Sequence, residues 1–122
     1  MYRPVHFEIQ ATEPERALKF YHTIFGWKSS KWDGPQDYWL LTTGADDVPG
    51  IDGGLMRRMD PSGATYNSME VPSVDDFIAK IVENGGKLAV PKMVIQGMGY
   101  LAYCQDTEGN IFGIFQRDPS VK

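Results

Sequence analysis

The chain states one pattern twice, and that duplication constrains its fold more than any single motif. Val5-His6-Phe7-Glu8-Ile9-Gln10-Ala11 is followed by Glu13-Pro14-Glu15-Arg16-Ala17-Leu18-Lys19-Phe20-Tyr21 and then by Phe25-Gly26-Trp27. About sixty residues further on, Thr65-Tyr66-Asn67-Ser68-Met69-Glu70-Val71 is followed by Ser73-Val74-Asp75-Asp76-Phe77-Ile78-Ala79-Lys80-Ile81 and then by Gly85-Gly86-Lys87. The likeness lies in pattern: strand, acidic helix start, apolar helix face, glycine stop. A unit this small cannot bury its own sheet face. Two copies must therefore pair, and a pair of curved half-sheets is expected to enclose a cavity where function resides.

Each copy reads as βαβββ. Val5 to Ala11 alternates apolar and polar residues, with Phe7 and Ile9 on one face and His6, Glu8 and Gln10 on the other. Pro14 suits a first helical position, and Ala17, Leu18, Tyr21, Ile24 and Phe25 form an apolar face that ends at Gly26. Strands are expected over 27–32, 37–43 and 53–59. In the second copy the strand runs over 66–71, with Tyr66, Ser68 and Glu70 sharing a face. Ser73 to Asp76 resembles a capping box, Phe77, Ile78, Ile81 and Val82 give the buried stripe, and Asn84-Gly85-Gly86 stops the helix. Strands follow over 87–95, 100–105 and 111–116. Pro91 implies an edge strand or a bulge, and Asp106-Thr107-Glu108-Gly109 implies a hairpin turn.

With 122 residues and no linker beyond Asp60-Pro61-Ser62-Gly63, one fused α+β domain is expected over 1–122. Module one covers about 1–60 and module two about 64–117, with a short, loose tail from Asp118. The Gly97-Met98-Gly99 loop reads as a plain turn, with a lid as the alternative. No run is apolar enough to span a bilayer, and no signal pattern opens the chain. A net charge of −4 argues against nucleic-acid binding. Lys28 with Lys31, and Arg57 with Arg58, read as solvated surface. The lone Cys104 lies in an apolar run and reads as a buried hydrophobe; with no disulfide available, a reducing, cytoplasmic setting is expected.

The run Pro14-Glu15-Arg16-Ala17-Leu18-Lys19-Phe20-Tyr21 with Phe25-Gly26-Trp27, and a second copy closing on Asp106-Thr107-Glu108-Gly109-Asn110-Ile111-Phe112-Gly113, resembles the vicinal oxygen chelate superfamily. That group holds glyoxalase I, bleomycin-resistance proteins and extradiol dioxygenases. Gly53-Gly54-Leu55-Met56 and Ile111-Phe112-Gly113-Ile114-Phe115 are most similar to poorly characterised lactoylglutathione-lyase-related proteins. The resemblance implies a glyoxalase-like fold: two βαβββ modules in a curved mixed sheet around a cavity, helices outside, assembled as a homodimer.

The resemblance also implies four metal-ligand positions in the metal-dependent members, one on the first and one on the last strand of each module. Here they fall on His6, Gly54, Tyr66 and Gly113, so one ligand in four is retained. Glycine has no donor atom, and neutral tyrosine is a poor substitute for imidazole. No cofactor or tightly held metal is therefore expected. His6 and Glu8 are the candidate catalytic groups, a histidine beside a carboxylate being poised for acid–base work. Gln10, Gly54, Met56, Tyr66, Ser68, Glu70, Gly113 and Phe115 are the candidate ligand-binding positions, with the two glycines leaving space that aromatics rim.

Two functions stand side by side. One is a metal-independent binder of a small organic molecule, like the bleomycin-resistance branch. The alternative is a lyase, isomerase or dioxygenase-like enzyme on a small carbonyl or aromatic substrate, with His6 as base or sole retained metal ligand. Neither involves a nucleic acid or a membrane.

Overall fold

The computed structural model describes residues 1–59, 61 and 64–122. Of the expected connection Asp60-Pro61-Ser62-Gly63, only Pro61 lies among the described residues. The element order is β1 (Pro4–Ala11), α1 (Pro14–Phe25), β2 (Lys28–Lys31), β3 (Tyr38–Thr42), β4 (Gly53–Arg57), β5 (Tyr66–Glu70), α2 (Val74–Glu83), β6 (Lys87–Ile95), β7 (Gly99–Gln105) and β8 (Ile111–Arg117). The architecture is α+β and repeats βαβββ, as the duplicated pattern requires. The described residues fall into two compact units, His6–Thr65 and Tyr66–Lys122, with Met1–Val5 grouped in the latter.

In the first unit the strand order is β2-β3-β4-β1. β1 and β4 run parallel with Glu8 opposite Gly54 and Gln10 opposite Met56. β3 is antiparallel to both β4 and β2. α1 starts at Pro14, whose missing N–H is no loss there, and no side chain caps Glu13. It ends at Gly26 in the left-handed conformation, φ 76°. Ala11, Leu41 and Leu55 form the core with Phe7, Ile9, Ala17, Leu18, Tyr21, Trp27 and Trp39 against them. Burying a side chain such as Leu55 contributes about 2 kcal/mol.

The expected apolar face of α1 is corrected at its last turn: Ile24 and Phe25 are 58% and 61% exposed. Trp27, stacked nearly parallel on Tyr21 with centroids 5.0 Å apart, covers that end of the core instead. The turn at Gly26 brings its larger ring back under the helix.

In the second unit the order is β5-β8-β7-β6, with β5 and β8 parallel and the other pairs antiparallel. Ser73 caps α2 by accepting from the Asp76 amide at 3.1 Å. Val71, Val74, Ala102, Cys104 and Ile114 form the core, packed by Phe77, Ile78, Ile81, Tyr100 and Phe112. Val82, expected in the stripe, is 54% exposed. It lies a full residue step around the helix from the Phe77–Ile81 seam, and a stripe of roughly 100° cannot include it. The Tyr2 ring meets Phe77 edge-on at 4.9 Å. β6 shows register shifts on both sides of Val90, as Pro91 implies.

The end of the chain is not loose. Asp118 donates its amide to Met98 O, and Gly97 donates to Val121 O, both at 2.8 Å. With the Met98 amide donating to Ile95 O at 2.9 Å, these bonds fix residues 96–98 as a turn leading into β7. Gly99 has φ 149°, and a Cβ there would run into Gln116 O, so only glycine lets these strands approach. At the β7–β8 hairpin, Asp106 Oδ1 accepts the amides of Glu108 and Asn110 at 2.8 and 2.9 Å. Donation from the Asn110 side chain, with these amides, holds the Asp106 carboxyl below the usual range. Gly109 supplies the positive φ, 84°.

Candidate functional site

In each unit the helix covers one sheet face, and the chemistry stands on the other. Alternation places His6, Glu8 and Gln10 of β1, Gly54 and Met56 of β4, and Tyr38 and Leu40 of β3 together on that face of the first unit. Glu8, Gln10 and Met56 are buried there. Gln10 Oε1 accepts the Met59 amide at 2.9 Å.

His6 Nε2 and Tyr38 Oη are 2.8 Å apart. Burial pushes the His6 pKa down, while the negative charges of Glu8 and Asp52 pull it partly back. The imidazole is thus held neutral near pH 7, with one ring nitrogen a donor and the other an acceptor. Asp52 is itself fixed, its Oδ1 accepting the Thr43 amide at 2.9 Å and lying 3.3 Å from Thr43 Oγ1. The other histidine, His22, is exposed on α1, where its Nδ1 donates to Trp27 O at 3.0 Å.

The two glycines do not leave open space. A Cβ on Gly54 would collide with the hydroxyl and ring of Tyr38, which lie directly over it. A Cβ on Gly113 would collide with Ser68 Oγ, its register partner on β5, and would lie 3.5 Å from Tyr103 Cε1. A missing side chain across a sheet invites a neighbour's side chain into the gap, because a void forfeits contacts on one side. Tyr38 and Ser68 have taken these places.

On the second unit's sheet face away from α2, Tyr66 and Ser68 are buried. The Tyr66 ring lies 5.6 Å from that of Tyr103, tilted by 56°. Glu70 is held by Arg117, whose Nη2 donates to Oε1 at 3.1 Å. Phe115, opposite Glu70 in register, is half-buried. The structure thus brings His6, Glu8, Gln10, Gly54 and Met56 together in one unit, and Tyr66, Ser68, Glu70, Gly113 and Phe115 in the other.

Sequence reasoning did not assign Tyr38 or Asp52 to the site. Tyr38 carries a signal: it stands two residues before the register partner of Gly54, on the same face. Asp52 carried none, since its influence on His6 depends on the loop before β4.

These residues do not fit the divalent metal that the family resemblance implies. Tyr38 covers Gly54 and engages His6, and Ser68 Oγ covers Gly113. Among the described residues, no group of three or more His, Cys, Asp or Glu side chains is placed to hold a metal ion. Nor is any helix among them long and apolar enough to cross a membrane.

Comparison with known proteins places the fold. The chain is 29% identical over 126 residues to the protein named "Putative glyoxylase CFP32" in Mycobacterium bovis and in Mycobacterium tuberculosis. That alignment covers 97% of this chain and 47% of the relative, so the chain spans about half the length of the curated relatives it matches. Among solved structures, methylmalonyl-CoA epimerase from Mycobacterium tuberculosis superposes with a TM-score of 0.67 at 15% identity, over 95% of this chain and 88% of that one. A hypothetical protein from Bacillus halodurans gives 0.71 at 14% identity, over 99% and 98%. A glyoxalase/bleomycin resistance protein/dioxygenase superfamily member from Vibrio splendidus gives 0.66 at 18%, over 97% and 100%. At these identities the structural likeness speaks for the fold. Residues 3–114 match the family profile itself, and the chain belongs to the Glyoxalase/Bleomycin resistance protein/Dioxygenase superfamily.

Proposed function

We propose that the protein binds a small organic molecule over the sheet face bearing His6, Glu8 and Tyr38, without a tightly held metal. One observation carries this reading: Tyr38 lies over Gly54 with its hydroxyl 2.8 Å from His6 Nε2. An aromatic ring with a polar tip thus stands where metal-dependent members would need a carboxylate. Such a pair offers a stacking surface, a hydroxyl and a neutral imidazole, which suits a flat molecule with hydrogen-bonding groups. Glu8 adds a carboxylate beside them, favouring a ligand that is partly cationic or rich in donors.

Metal analysis of tag-free protein, with a titration of the His6 ring signals by NMR, tests the proposal. Less than stoichiometric metal is expected, with His6 signals unmoved by equimolar zinc, nickel or manganese. Aromatic ligands from a fragment set should instead move His6 and Tyr38 together. A one-to-one metal complex through His6 would overturn the reading.

A second reading is supported by the depressed basicity of His6. A neutral imidazole bonded to a tyrosine hydroxyl can accept a proton from a bound carbonyl compound, as a lyase or isomerase requires. Solvent deuterium entering a bound carbonyl compound, and lost in His6→Gln, would favour this reading over binding alone.

A further inference from the structure

We infer that an open surface groove at the C-terminal ends of β1 and β4, lined by the exposed residues Thr12, Arg57, Arg58, Met59 and Pro61, binds a small organic anion through the Arg58 guanidinium. This site stands at the other end of β1 from His6, shares only the Gln10–Met59 bond with the His6 face, and does not rest on the function proposed there. Arg57-Arg58 reads from sequence as a solvated pair, but the structure anchors it. The Arg58 amide donates to Ala11 O at 3.0 Å, the Met59 amide to Gln10 Oε1 at 2.9 Å, and Arg58 Nε to Thr12 Oγ1 at 3.0 Å. Three bonds thus lock the segment against the end of β1, and Thr12 aims the guanidinium.

The charge is not cancelled by that anchoring. Arg57 spends its Nε on the Asp37 carboxylate at 2.9 Å, whereas Arg58 spends its own on a neutral hydroxyl. The terminal Nη groups of Arg58 make no hydrogen bond among the described residues. They form the fork that matches a carboxylate or phosphate with two parallel bonds. Ordering a long arginine side chain usually costs binding energy, and here the fold has already supplied that order. Met59 and Pro61 give the groove apolar walls. An oxyanion carried on an apolar group satisfies both features, and a bare inorganic anion satisfies only one. Glu13, adjacent to Thr12, is paired with Arg16 in an exposed ion pair, which moderates its repulsion of such a ligand.

Phenyl phosphate, benzoate and inorganic phosphate, each titrated to about 10 mM at low salt and followed by NMR, distinguish the outcomes. Phenyl phosphate, benzoate or both should shift Arg58 Nε–H and the Met59 amide together, and which one binds identifies the oxyanion. Inorganic phosphate should bind several-fold more weakly. R58Q should weaken binding about tenfold or more, the worth of a charge-assisted pair, and R58K should recover part of it. Thr12→Val, which keeps the charge and frees the side chain, should weaken it by a smaller factor that Thr12→Ser restores. An undiminished response in correctly folded R58Q, equal affinity for inorganic phosphate, shifts spread equally over Lys28 and Lys31, or no shift at all would overturn the proposal.

Discussion

The two modules share one backbone plan and carry opposite surfaces. In each, a tyrosine of the third strand meets a residue near the start of the first strand, beside the glycine of the fourth. In the first module that pair is Tyr38 and His6, bonded at 2.8 Å, with Glu8 and Asp52 acting electrostatically on the imidazole. In the second it is Tyr103 and Tyr66, two rings 5.6 Å apart. Glu8 of the first copy corresponds to Ser68 of the second, which fills the gap over Gly113, and the carboxylate of Glu70 is neutralised by Arg117. Duplication supplies the scaffold, and divergence has left a histidine under the influence of two carboxylates in one copy. The face in the other copy is packed by Tyr66, Tyr103 and Ser68, and its one carboxylate, Glu70, is met by Arg117.

The largest expected effect that breaks this comparison is at the glycines. Gly54→Ala should cost about 1–3 kcal/mol, because the methyl must displace the whole Tyr38 ring. Gly113→Ala should cost about 1 kcal/mol, because the small Ser68 side chain, rather than an aromatic ring, stands in its way. Urea denaturation of both variants measures the difference, and a second substitution, Tyr38→Ala, should recover Gly54→Ala in part. Equal costs would mean that the two gaps are filled equally tightly.

Next comes Tyr38→Phe, which keeps the ring and removes the hydroxyl from His6 Nε2. A loss of about 1–2 kcal/mol is expected for a half-buried nitrogen deprived of its partner. Tyr66→Phe, which leaves the ring pair with Tyr103 intact, should cost less than about 0.5 kcal/mol. Denaturation midpoints of the two variants sharpen the contrast between a bonded and a packed tyrosine.

The pH dependence should follow. His6 has a folded pKa below its unfolded value near 6.5, with burial as the main cause. The unfolded chain therefore binds the proton more readily, so stability is fully present above 6.5 and falls as pH drops through the folded value. Denaturation from about pH 7.5 down to about pH 5 should show this loss, and His6→Gln should flatten it. Tyr66→Gln should leave the slope unchanged.

The smallest effect belongs to Arg117→Gln. Its side chain is 68% exposed and that of Glu70 is 41% exposed, so solvent screens the pair. Stability should change by about 0.5 kcal/mol or less, with salt reducing it further.

Much of this was legible without coordinates. Period-two alternation set which residues of β1 and β5 share a face, and Gly26 and Ser73 marked helix boundaries that the structure keeps. Pro91 foretold the irregular β6. Legibility failed where an answer depended on what stands across a strand. Gly54 read as room for a ligand because an absent side chain looks like space in one dimension. Ile24 and Phe25 fit the helical period, but Trp27 returned after the turn and took their place. The tail looked loose because its partners, Gly97 and Met98, lie two strands back in the chain.

Composition and periodicity alone determined that this chain builds two βαβββ units with polar faces led by His6 and Tyr66, since those signals are local and repeat at fixed spacing. Only the tertiary structure decided that Tyr38 closes the gap at Gly54 and bonds His6, that Asp52 acts on that imidazole, and that Thr12 aims Arg58. Each of these depends on strand register and side-chain rotamers, which bring residues together regardless of their distance along the chain.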